Sequence, residues 1–103
     1  MGDDSNRRTH DIALEDYEWA KKIDPIVDNA FSASKNKDYN STIKYFKEAL
    51  ELAPGCDLFL MSIGSAYAYL DQKEKAIKYL ERAAEINPGS RRIIENLNSV
   101  KRS

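Results

Sequence analysis

A chain of 103 residues has room for one small domain, and 42% apolar with 32% charged residues suits a soluble, helical protein. A net charge of −1 excludes an overall field toward nucleic acid or membrane, and three prolines with four glycines are too few for a turn-rich sheet protein. The single cysteine, Cys56, excludes an internal disulfide and favours a reducing compartment, so a cytoplasmic location is expected.

The chain opens with MGDDSNRRTHD, which has no apolar core of a secretory signal. Asn6 stands where myristoylation wants Ser or Thr. Residues 1–10 have nothing to bury, so a disordered tail is expected there, with a single domain over residues 11–103. Asp11–Ile23 reads as a flanking helix with Ile12, Trp19 and Ile23 on one side. Asp24 is then expected to cap a new helix, with Pro25 at its first position, where the missing N–H is harmless. Ile26, Ala30 and Ala33 face inward, and Lys35–Asp38 is a turn. Tyr39, Ile43, Phe46, Ala49, Leu50 and Leu52 form the next apolar stripe. Asn40-Ser41-Thr42 fits the glycosylation sequon but reads as helix-start chemistry.

The plan then recurs. Asp57 is expected to cap a helix carrying Leu58, Phe59, Leu60, Ile63, Ala66, Tyr67 and Leu70. Asp71–Lys73 breaks the pattern, and Ala76, Ile77, Leu80, Ala83, Ala84 and Ile86 make another stripe. Pro88 ends it, and Gly89 is expected in the left-handed conformation common after helices. Arg91–Lys101 is a last short helix with Ile93, Ile94, Leu97 and Val100 apolar. No apolar run approaches the ~20 residues of a membrane span.

Residues 23–56 and 57–90 align without a gap at a shift of 34. The matches are Ile43/Ile77, Lys44/Lys78, Tyr45/Tyr79, Ala49/Ala83, Glu51/Glu85, Pro54/Pro88 and Gly55/Gly89. A helix–turn–helix unit of this period, in which Leu60, Ile63, Gly64 and Tyr67 precede Ala76, Leu80, Ala83 and Pro88, resembles the tetratricopeptide repeat. In the first unit Ala30, Phe46, Ala49 and Pro54 match the pattern, while Asn29, Ala33 and Thr42 depart from it. The resemblance implies an all-α helix–turn–helix solenoid of about six antiparallel helices. Repeats at 23–56 and 57–90 would lie between a flanking helix at 11–23 and a capping helix at 91–101. Arrays of this kind need about three units for stability; only two are complete, so the flanking helices matter.

Candidate catalytic residues are nearly absent from the chain, and no enzyme is expected. His10 and Cys56 are the sole histidine and cysteine, too few for a zinc site, and no glycine-rich phosphate loop occurs. No cofactor, metal or small-molecule substrate is expected. The basic residues near the C-terminus are few and lack interleaved aromatics, which argues against nucleic acid.

The resemblance implies protein–protein interaction instead. In the family, first helices of repeats line a concave groove. Carried over, that face holds Asp24, Val27, Phe31, Ser34 and Lys35, then Leu58, Met61, Ser65, Ala68 and Tyr69, then Arg92, Glu95 and Ser99. Some members grip a chaperone's C-terminal carboxylate with Lys, Asn and Arg. Here Val27 and Phe31 replace the first two and Ser62 another Asn, leaving Arg92 and Asn96, so that clamp is broken. The remaining groove is apolar at Val27, Phe31, Leu58, Met61 and Tyr69. Two occupants stay open: a peptide or amphipathic helix of another protein, or this protein itself, with groove and N-terminal helix driving homo-oligomerisation.

Overall fold

A computed structural model describes the backbone of residues 2–103 and the side chains of residues 18–103. It contains the helices α1 (Gly2–Lys35), α2 (Tyr39–Leu52), α3 (Asp57–Tyr69), α4 (Lys73–Ile86) and α5 (Arg91–Arg102), with no strand among the described residues. Each helix packs on the next in sequence, and α5 also touches α3, as stacked helix pairs require. Where a disordered tail is expected over residues 1–10, the described backbone is helical from Gly2.

The described residues form five helices, in keeping with the expected solenoid of about six, and α1 runs unbroken through Asp24 and Pro25. Asp24 is therefore no cap. Core packing on both sides of the proline accounts for this. Ile23 and Ala30 are buried in one cluster with Ile43 and Phe46, and Ile26 and Val27 pack against it. Pro25 itself is exposed, so its ring lies on the solvent side of α1 and does not disturb the core. The Trp19 end of α1 pads the first repeat rather than the groove. Its indole Nε1 donates to the Leu52 carbonyl at 3.1 Å, one of the last-turn carbonyls of α2 that no intrahelical N–H can reach.

The turns repeat as the sequence does. After α1, the Lys37 and Asp38 amides donate to the Ser34 and Ala33 carbonyls at 3.0 and 2.8 Å. After α3, Asp71 and Gln72 donate to Ala68 and Tyr67 at 3.0 and 2.9 Å. Both are Schellman closures around a left-handed residue. The Pro-Gly turns differ from expectation, since neither Gly55 nor Gly89 has positive φ. Cys56 donates to the Ala53 carbonyl at 3.1 Å and Ser90 to Asn87 at 3.2 Å, each across a Pro-Gly pair. Proline at the second place and a right-handed glycine at the third describe a type I turn.

Caps also move. Asp38 caps α2 by accepting from the Ser41 amide at 3.3 Å, and Ser90 caps α5 through Ile93. Cys56, not Asp57, is the N-cap of α3. Asp57 instead accepts from the Asn87 side chain at 3.0 Å, tying the start of α3 to the end of α4. Within the second repeat, Gly64 lets α3 and α4 close together. A Cβ there would lie 2.8 Å from Leu80 Cγ and 3.1 Å from the Ala76 carbonyl oxygen. Leu80 is fully buried and cannot retreat.

Candidate functional site

Helices α1, α3 and α5 bring their side chains to one pocket of about 220 Å³. Phe31 from α1, Leu58 and Tyr69 from α3 and Arg92 from α5 line it, with Met61 and Ser65 between them. Leu58 and Met61 are three residues apart, and Ser65 and Tyr69 follow at intervals of four, so one face of α3 presents all of them.

Three of these side chains leave apolar surface in water. Phe31 is 48% exposed, Leu58 39% and Tyr69 71%. Each is also held. Phe31 meets the buried Phe46 edge to face, with ring centroids 5.3 Å apart. Tyr69 stacks on Tyr39, with centroids 4.7 Å apart and planes within 6°. An anchored aromatic loses little further freedom on contact, so its exposed face suits binding. Met61 is different: it is buried with Leu60, Leu80, Ala83 and Ile93 and reaches the pocket as its floor.

A second pocket of about 310 Å³ shares Ser65, Tyr69 and Asn96 with the first and continues past Ala68, Ser99 and Val100. Together they form one groove. Its α1 side is aromatic, whereas its α5 side carries Arg92, Asn96 and Ser99. Arg92 is the one charged side chain among the described residues of its lining.

Of the expected groove residues, Phe31, Leu58, Met61, Ser65, Tyr69 and Arg92 come together here. Ser34, Ala68 and Ser99 also line the two pockets. Val27 and Lys35 do not. Val27 packs half-buried against the core, and Lys35 ends α1 exposed, outside the lining. Asp24 and Glu95 are likewise outside it. Tyr39 and Thr42 line the pocket although the sequence placed Tyr39 only in the core stripe of α2. Their entry follows from the short turn at Lys37, which sets the first turn of α2 beside the end of α3.

No group of His, Cys, Asp and Glu among the described residues is placed to hold a metal ion. His10 lies outside the residues described to the side chain, and Cys56 is a free, half-buried thiol. No helix among the described residues is long and apolar enough to cross a membrane.

The tetratricopeptide repeat family model matches residues 30–56 and 59–90. The chain is 31% identical over 71 residues to the protein STIP1 homolog of Dictyostelium discoideum, covering 69% of this chain and 13% of that protein. It is 26% identical over 99 residues to the small glutamine-rich tetratricopeptide repeat-containing protein 2 of Saccharomyces cerevisiae, covering 96% of this chain and 29% of that one. Among solved structures, the Sgt2 TPR domain from Aspergillus fumigatus superposes with a TM-score of 0.73 at 25% identity, over 78% of this chain and 53% of that chain. The chain thus spans less than a third of the two curated relatives it matches. Two repeats recognised over most of their length, on a backbone that stacks as that domain does, make this chain a member of the tetratricopeptide repeat family.

Proposed function

We propose that this domain is an interaction module that holds a peptide or amphipathic helix of another cytoplasmic protein in the groove of α1, α3 and α5. It acts by binding rather than catalysis, and through apolar contact rather than a carboxylate clamp. The observation that carries this reading is the row of Phe31, Leu58 and Tyr69, partly exposed side by side in a lining with a single charge. Contiguous apolar surface of this kind marks contact sites. The aromatic side would take the apolar face of the ligand, while Arg92 and Asn96 would meet its polar face.

The test uses Phe31→Ser with Tyr69→Ser, two positions exposed enough to leave the fold intact. Affinity capture with the native domain identifies partners by mass spectrometry, and the double variant should lose them. Capture of the same partners by the variant would overturn the groove reading. Size-exclusion chromatography with light scattering separates the other occupant. A concentration-dependent oligomer that the same variant dissolves would assign the groove to self-assembly.

A further inference from the structure

A second surface shares no residue with the groove. Tyr67 and Tyr79 stack with centroids 5.6 Å apart between α3 and α4. Three cations surround them. Lys47 Nζ lies 5.4 Å from the Tyr67 centroid and 5.8 Å from that of Tyr79. Lys75 Nζ is 5.6 Å from Tyr67, and the Arg82 guanidinium is 5.2 Å from Tyr79. All three side chains belong to exposed residues.

On α4, Lys75, Tyr79, Arg82 and the 45%-exposed Ile86 recur at helical spacing and so share one stripe, facing Lys47 on α2. None of the three cations has a carboxylate within ion-pair distance among the described residues. The ion pairs there are Arg91–Glu95 and Lys101–Glu81. Cations that share a ring stand within about a Debye length, ~10 Å, of one another, so their repulsion is only partly screened. The hydrogen bond from Lys47 to the Tyr67 hydroxyl, at 2.9 Å, favours the charged ammonium and keeps that repulsion in place.

We infer that the outer face of α2 and α4, where Lys47, Lys75 and Arg82 surround the Tyr67–Tyr79 pair, docks an acidic segment of a partner protein. Carboxylates would meet the three cations and relieve their mutual repulsion. The flanking Ile86 favours a protein segment over a bare phosphate or nucleic acid, because it offers an apolar contact beside the charges. This surface would leave the groove free, so one domain could hold two ligands.

The test is an NMR titration of the 15N-labelled chain at low salt with a short glutamate-rich peptide bearing one phenylalanine. Saturable shifts are expected at Lys47, Tyr67, Tyr79 and Arg82, and not at Phe31 or Tyr69. Lys47→Gln with Arg82→Gln should weaken binding about tenfold, as removal of two exposed ion pairs implies. Lys22→Gln with Arg102→Gln removes the same charge elsewhere and should leave affinity unchanged. Absence of saturable binding, shifts confined to the groove, or equal loss in both double variants would overturn the proposal. Inorganic phosphate and a single-stranded oligonucleotide are titrated alongside, and tighter binding of either at this face would also overturn it.

Discussion

Lys37 and Asp71 stand one repeat length apart and hold the same left-handed backbone, with φ of 62° and 61°. Each closes the first helix of its repeat. Neither is the glycine such a place prefers, and lysine bears the larger strain, because aspartate tolerates this region better. Lys37→Gly should therefore stabilise the domain by about 1 kcal/mol, raising Tm by roughly 5 °C. Asp71→Gly should gain less. Thermal unfolding of both variants checks this, and a loss on Lys37→Gly would mean that its side chain contributes contacts outweighing the strain.

Pro25 tests the continuity of α1. A proline inside a helix costs about 3 kcal/mol against alanine, whereas at the first helical position it is favourable. The helix runs on through Pro25, so Pro25→Ala should raise stability by about 2–3 kcal/mol, visible in the urea midpoint. A neutral or destabilising result would restore the helix start that the Asp24-Pro25 pair suggests in the sequence.

Why that pair misled is physical. Capping rules act locally, and Asp-Pro is a strong local start signal. The core contacts of Ile23 and Ala30 with Ile43 and Phe46 are tertiary and invisible to a local rule. The period of 34 and the stripes it carries were legible because close packing demands them. Ala49, Ala76, Ala83 and Leu80 are all fully buried, at 0% exposure. The groove was legible on α3, where spacing alone puts Leu58, Met61, Ser65 and Tyr69 on one face. It was less so on α1, where Val27 turns to the core, and on α2, whose Tyr39 is brought over Tyr69 by a three-dimensional turn. Trp19 gave an apolar stripe but no address, since its acceptor, the Leu52 carbonyl, is 33 residues away.

Met61 and Phe31 both line the groove, yet they should respond oppositely to charge. Met61 is 6% exposed and Phe31 48%. A carboxylate at Met61 would be buried among Leu60, Leu80 and Ile93, which offer it no hydrogen bond. Met61→Glu should cost at least about 3 kcal/mol and leave the chain largely unfolded. Phe31→Glu should cost only about 1 kcal/mol, from its lost contact with Phe46, and keep the helical circular dichroism. Equal unfolding by both would show that Phe31 is part of the core rather than of a binding surface.

The Lys47–Tyr67 hydrogen bond, at 2.9 Å, makes part of the stability depend on alkaline pH. That bond is the main cause that raises the Lys47 pKa above the usual 10.5; partial burial opposes it, and the nearby tyrosines add to it. A folded-state pKa above the unfolded one means that folding favours the protonated amine. The contribution is complete below pH 10.5 and fades as pH rises through the folded value. Lys47 is solvent-exposed, so the effect is small, about 0.5 kcal/mol. Lys47→Met keeps the aliphatic stem and removes the charge. It should lower the urea midpoint slightly at neutral pH, and the difference should close as pH climbs beyond 10.5. A difference that persisted after the native lysine had lost its proton would trace the loss to stem packing on Tyr67 and Tyr79, not to the ammonium.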